Sequence, residues 1–179
     1  MADGVTFDIG GGVSAATSVM QYVQGLLTGS RSVTVEVDNN TTLTLAMRAW
    51  HHSHGGFAKF PADKIGPYNP DPKVCTDVFG SQNRGGSLMT GTEGWVSYYG
   101  HETTQSGIGR PVLFLRVAWD NPYVGSNSAK VQLAWSKDYK IRYAAGSGNS
   151  QAPFRFQLYP ADQISGPEVL DITDIGGWG

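Results

Sequence analysis

Residues 10–39 read "GGGVSAATSVMQYVQGLLTGSRSVTVEVDN", and a change of period inside this stretch decides the fold class. Over 13–27, Val13, Ala16, Val19, Met20, Val23, Leu26 and Leu27 recur at spacings of three and four, which makes one stripe of a helix. Ser14, Thr17, Ser18, Gln21 and Gln24 fall opposite. Gly29 stands where a C′ glycine would close the helix. From Ser32 the period drops to two: Val33, Val35 and Val37 alternate with Thr34 and Glu36, the pattern of a strand. "DNN" (38–40) then turns the chain, and "TLTLAMRAW" (42–50) resumes the alternation, which predicts a hairpin.

The helix has an unusual polar face. No charged residue lies between Asp8 and Arg31. The face carries hydroxyls and amides where a solvated helix normally carries Lys and Glu. A segment that is soluble when docked yet enters lipid needs such a composition, since each charge at a membrane-helix centre costs about 2.5–3.5 kcal/mol. Residues 9–29 match the ~20 residues of a membrane span. Gly10, Gly11 and Gly12 supply the backbone freedom of a hinge. The plain alternative is a helix that covers one sheet face, and periodicity alone leaves it open.

Outward from this stretch the chain is rich in short strands. Candidates follow at 74–79, 95–99, 112–119, 130–135, 140–144, 154–159 and 169–172, with a loop-rich, proline-bearing region at 51–74 and a flexible connection at 146–153. Strands at this spacing with one leading helix predict a mainly β protein. The expected layout is a β-sandwich of about 8–10 strands with the N-terminal amphipathic helix packed on it. No repeat or linker divides the chain, so 1–179 is expected to form one domain, with 1–29 as a detachable helical segment.

Composition narrows the function classes. The chain has 179 residues, 24 of them glycine, and a formal net charge of −2. Basic and acidic residues are mixed along it, which argues against a nucleic-acid partner. The lone cysteine, Cys75, excludes an internal disulfide and a paired-cysteine zinc site. A basic n-region and an unbroken apolar h-region are both missing, so no conventional signal peptide is read. The longest apolar runs fall short of a conventional span. Asn39 and Asn40 each begin an N-x-T sequon, which reads more plainly as turn chemistry.

Catalytic signatures are weak. On an extended chain His52 and His54 of "WHHSH" (50–54) point to one side, and His101 could join them on zinc, but no spacing is diagnostic. The nucleophile elbow, the H-E-x-x-H motif and the phosphate-binding loop are absent. Glu93, Glu102 and Asp120 offer carboxylates for glycoside chemistry, as any chain with 15 acidic residues would. The expectation is a protein that is not an enzyme and needs no cofactor or metal.

Two stretches together carry a family likeness: the uncharged leader with "SRSVTVEVDN", and "TGTEGWVSYYG" (90–100) followed by "RPVLFLRVAWDNPYVGSNSAKVQLA" (110–134). In this order they resemble the actinoporin-like pore-forming cytolysins, over roughly residues 5–135. The resemblance implies a soluble sandwich that binds membranes through an aromatic loop cluster and a choline-headgroup pocket. It then implies release of the N-terminal helix into the bilayer and homo-oligomerisation into a pore. Trp119 and Asp120 match the family's aromatic–Asp pair, and Tyr123 lies in the loop that follows. Ser53 is the nearest match to the pocket serine. Arg116 and Ala118 stand at the family's Ser and Pro positions, Glu93 at a Val position and Val124 at a Tyr position.

These departures point to a ligand more polar than choline. Arg116 could take a phosphate or carboxylate bidentately, and Trp119 and Tyr123 could stack on a sugar. The implied headgroup or glycan site is Ser53, Glu93, Arg116, Ala118, Trp119, Asp120, Tyr123 and Asn127. The implied partners are a lipid or glycolipid headgroup, or a free glycan, bound by a monomer or small oligomer that assembles further on membranes. A released or secreted defence protein fits that reading. Fungal fruit-body lectins share this type of sandwich, so a glycan-binding module without pore formation is the alternative. An inert interaction protein remains a third reading.

Overall fold

The computed structural model describes residues 13–84, 90–147 and 150–164, with side chains in the first helix described from Val19 on. Among them are α1 (Val13–Leu26), a four-residue helix α2 (Pro72–Cys75) and ten strands. The strands are β1 (Ser32–Asn39), β2 (Thr44–His54), β3 (Gly56–Lys59), β4 (Lys64–Ile65), β5 (Thr76–Gln82), β6 (Thr92–Thr104), β7 (Gly107–Asn121), β8 (Ser128–Ala134), β9 (Tyr139–Ala145) and β10 (Gln151–Pro160). They form two five-stranded sheets, ordered β3-β5-β1-β10-β9 and β4-β2-β6-β7-β8. The chain is mainly β, as its periodicity predicts. The strand expected at 169–172 and the hinge at Gly10–Gly12 lie outside the described residues.

The sheets face each other across one core. Val33, Val35, Val37, Phe79, Phe154, Phe156 and Leu158 of the first meet Leu45, Val96, Tyr98, Leu113, Leu115, Val117 and Trp119 of the second, all buried. Phe79 and Trp119 touch across the gap with ring centroids 5.6 Å apart. Burying one such side chain is worth about 1.5–3 kcal/mol, so this cluster dominates the stability. At one end of the sandwich, Ser81 of β5 joins the sheets. Its Oγ lies 2.9 Å from His52 Nε2 and 2.6 Å from Thr92 Oγ1.

The expected hairpin over 32–50 does not form. β1 pairs in parallel with β10 and antiparallel with β5, whereas β2 pairs with β4 and β6 in the other sheet. The "DNN" turn is a crossover between sheets. Asn39, fully buried, holds it: Nδ2 donates to the carbonyls of Leu43 and Gly66 at 2.7 Å, and Oδ1 accepts from Thr41. The first sequon asparagine is therefore a structural turn residue.

α1 packs on the outer face of the first sheet. Val23 and Leu27 are buried over Gly80 of β5, where an added Cβ would lie 2.9 Å from Val23 Cγ1 and 3.1 Å from Leu27 Cδ2. Gly80 thus permits the close approach of helix to sheet. Of the predicted apolar stripe, Val19 and Met20 are half-buried and Leu26 is 37% exposed. The side chains of Val13 and Ala16 lie outside the described set. Gly29 does not end the helix as a left-handed cap, since its φ is not positive. It is small because a Cβ there would lie 2.5 Å from Asn83 Oδ1, while its N–H donates to Gln82 Oε1.

Candidate functional site

One end of the sandwich gathers the turn between β2 and β3, residues 90–91 at the start of β6 and the loop from β7 to β8. There the outer face of the second sheet opens into a cleft of about 370 Å3, lined by His54, Thr92, Glu93, Asp120, Tyr123 and Val124 among others. The antiparallel register sets Glu93 directly opposite Asp120, so two carboxylates share one face at the strand ends. His54 Nδ1 approaches Glu93 Oε2 at 3.4 Å. Burial, then the Glu93 charge, pushes the Asp120 carboxyl above its ordinary value, against the pull of Lys130 and His54. Paired carboxylates in partial burial resist a second negative charge and favour a cationic or hydroxyl-bearing ligand.

The aromatic wall is Tyr123, 40% exposed, beside Val124 at 79%. Arg31, at the foot of β1, anchors this loop: Nη2 donates to the Tyr123 carbonyl at 2.7 Å, and the guanidinium sits 5.1 Å from the Tyr123 ring centre. A carboxylate pair facing an aromatic ring can hold an ammonium group or a sugar's hydroxyls and apolar face.

The predicted site residues do not form one group. Glu93, Asp120 and Tyr123 meet in the cleft. Ser53 is exposed on the β2 bulge next to it, and Asn127 turns away to donate to the Gly146 carbonyl at 2.8 Å. Arg116 and Ala118 share the outward face of β7 but stand further along it. The Arg116 guanidinium lies 4.0 Å over Trp95 and 5.6 Å from the Phe114 ring centre, and burial lowers its pKa. Trp119 is on the opposite face. It is 1% exposed and packed among His52, Phe57 and Phe79. Strand alternation forces this separation, because neighbours in β7 point to opposite faces and Asp120 faces out.

The histidines do not converge. A register shift between His52 and His54 breaks the expected alignment. His52 turns inward to Ser81, and His54 turns outward to Glu93. His101 bonds the Gly109 carbonyl at 2.9 Å, towards the far end of the β6–β7 hairpin. Among the described residues no group of three or more His, Cys, Asp or Glu could hold a metal. Arg31 and Trp95 escaped the sequence reading, and His54 entered it as a metal candidate and not as a partner of Glu93. Arg31 pins its loop from 92 residues away, and no local pattern announces that.

No family model matches the chain, and no curated protein matches it in sequence. In fold it is similar to the lipid binding protein Nakanori, with 16% identity and a TM-score of 0.63 over 80% of this chain and 78% of that one. It is also similar to IP-1A from Alcaligenes faecalis, with 16% identity and a TM-score of 0.46 over 76% and 96% of the two chains. The second likeness is too loose to carry an argument. The first shows a shared fold: two sheets, mainly β, in an arrangement that a lipid-binding protein also uses.

Proposed function

We propose that this protein binds a membrane lipid or glycolipid headgroup and acts as a pore-forming protein of the actinoporin-like class. The reading rests on one observation above others: the cleft of Glu93, Asp120 and Tyr123 sits at the loop end of a sandwich whose fold is shared with a lipid-binding protein. The carboxylate pair takes the cationic or hydroxylated part of the headgroup, and Tyr123 and Val124 meet the interface. The N-terminal segment bearing α1 then leaves the first sheet and enters the bilayer as copies assemble. α1 spans 14 residues, about 21 Å, and no described helix is long and apolar enough to cross a membrane. Insertion therefore extends the helix. A released protein with a role in defence suits this activity, with no catalysis required.

The test is dye leakage from vesicles of phosphatidylcholine, sphingomyelin, anionic lipid and glycolipid. Removal of residues 1–28 abolishes leakage and spares vesicle binding. A second arm locks the helix through Val23→Cys with Gly80→Cys, positions close enough for a disulfide. The oxidised form is silent, and reduction restores leakage. Equal leakage by the truncated protein ends the pore reading. The glycan-binding alternative draws on the two carboxylates, which suit hydroxyl recognition. Haemagglutination without leakage decides for it.

A further inference from the structure

Another cleft borders the second sheet, towards the end opposite the headgroup site and independent of it. It measures about 460 Å3, and its walls include Glu102, Arg110, Trp135, Ser136, Asp138 and Tyr139. The β6–β7 hairpin forms one side, and the β8–β9 turn forms the other.

Trp135 is the unusual residue. Its φ is +78°, and among the described residues no other non-glycine residue has a positive φ. The left-handed conformation is costly for a bulky side chain and collects at functional positions. Here it ends β8 and folds the indole back over the sheet, with its centroid 5.1 Å from Tyr99 and 5.8 Å from Phe114. The ring is thus braced from behind yet remains 56% exposed. Hydrophobic burial would favour the reverse arrangement.

Polar groups of both kinds surround this ring. Glu102 and Asp138 supply acceptors, and Arg110, 3.8 Å from Glu102, supplies donors. Ser136 Oγ accepts from the Asp138 N–H at 3.1 Å, which shapes the turn. Burial, then the charges of Asp138 and Glu102, raises the Tyr139 phenol above its ordinary pKa, so both carboxylates act on the same small space. A braced, exposed ring with carboxylates and a guanidinium at its rim matches a pyranose, whose C–H face stacks while its hydroxyls bridge donors and acceptors.

We propose that this cleft is a carbohydrate-binding site for a neutral hexopyranose, with Trp135 as the stacking platform and Glu102, Asp138 and Arg110 as hydroxyl ligands. The rim carries two carboxylates against one guanidinium, which disfavours sialylated and sulfated sugars. The sugar can come from a free or protein-borne glycan, or from a glycolipid, and the chemistry of recognition is shared.

The test uses the full chain on an array of neutral and sialylated glycans, with saturation-transfer NMR on the free saccharides that score. A parallel arm offers the same glycans as glycolipids in phosphatidylcholine vesicles. Binding of neutral glycans is expected, lowered at least tenfold by Trp135→Gly. Glycine is at home at φ +78°, so this variant keeps the turn, its folding is checked by circular dichroism, and its binding to glycan-free vesicles is unchanged. Asp138→Asn and Glu102→Gln are expected to weaken glycan binding severalfold. Signal in both arms marks a source-blind site, and signal with free glycans alone marks one turned away from the membrane. The proposal is overturned if no neutral glycan binds, if binding survives Trp135→Gly, or if phosphocholine competes for the cleft in place of sugar.

Discussion

Two arginines stand on the outer faces of the two sheets, and their surroundings differ sharply. Arg155, on β10 of the first sheet, lies 2.6 Å from Glu36 and 3.0 Å from Asp38, carboxylates whose side chains are 5% and 11% exposed. Arg116, on β7 of the second, lies over Trp95 and Phe114. The first outer face is covered by α1 and by this ion cluster, and every residue of β1 is buried. The second sheet borders the two clefts and carries the exposed Trp135 at the end of β8. A covered face spends its polar groups on each other, and an uncovered face keeps aromatics and charges available to ligands. Under the proposed function, the first sheet holds the helix and the second recognises the ligand.

Arg155→Leu breaks the comparison most severely. It leaves Glu36 and Asp38 buried beside each other without their cation, at an expected cost of about 3–5 kcal/mol, read by chemical denaturation at pH 7.

A pH series sharpens the same contrast. Glu36 is pushed up to about 7 by burial and then by Asp38, which together outweigh its ion pair with Arg155. The folded protein keeps that proton up to about pH 7 and the unfolded chain releases it near 4.5, so this stability contribution is lost as pH rises between those values. His52, between the sheets, is lowered to about 4 by burial and then by His51 and Arg84. The unfolded chain takes its proton near pH 6.5, so His52's contribution is lost as pH falls from 6.5 towards 4. The two slopes oppose each other, each worth about 3 kcal/mol across its window. The wild type is expected to show a flat profile there. Glu36→Gln leaves stability rising with pH, and His52→Gln leaves it falling.

Gly80→Val tests the helix cover directly. The added side chain meets Val23 and Leu27 and costs about 1–3 kcal/mol through overpacking. Faster proteolysis within α1 is the expected reading, while the second sheet's clefts still bind. The smallest effect belongs to Arg116→Leu, which removes a cation–π contact worth about 0.5–1 kcal/mol. A loss as large as that for Arg155→Leu would refute the division of labour between the sheets.

Much of the fold was legible because burial writes itself into alternation. Val33, Val35 and Val37 announce β1, and Leu113, Leu115 and Val117 announce β7. The distal part of the β6–β7 hairpin escaped notice because "HETTQSGIGRP" (101–111) is largely exposed and has no apolar face to alternate with. The cleft of Glu93, Asp120 and Tyr123 was half legible. Glu93, Asp120 and Tyr123 lie in the stretches that carry the family likeness, whereas Trp119, expected beside them, turns to the core because it neighbours the outward Asp120 in a strand. Arg31 and Trp95 reach the site or its neighbour through pairings remote in sequence, which no local spacing encodes.

The sequence by itself determined that the chain is mainly β and that an uncharged amphipathic helix precedes its first strand. These follow from backbone geometry, whose periods of 3.6 and 2 are local. Only the tertiary structure decided that β1 and β2 belong to different sheets, that Trp119 is core while Trp135 is surface, and that one outer face is covered while the other is open. Strand pairing and coverage depend on which distant segments bury each other, a free-energy comparison over the whole chain that no single window contains.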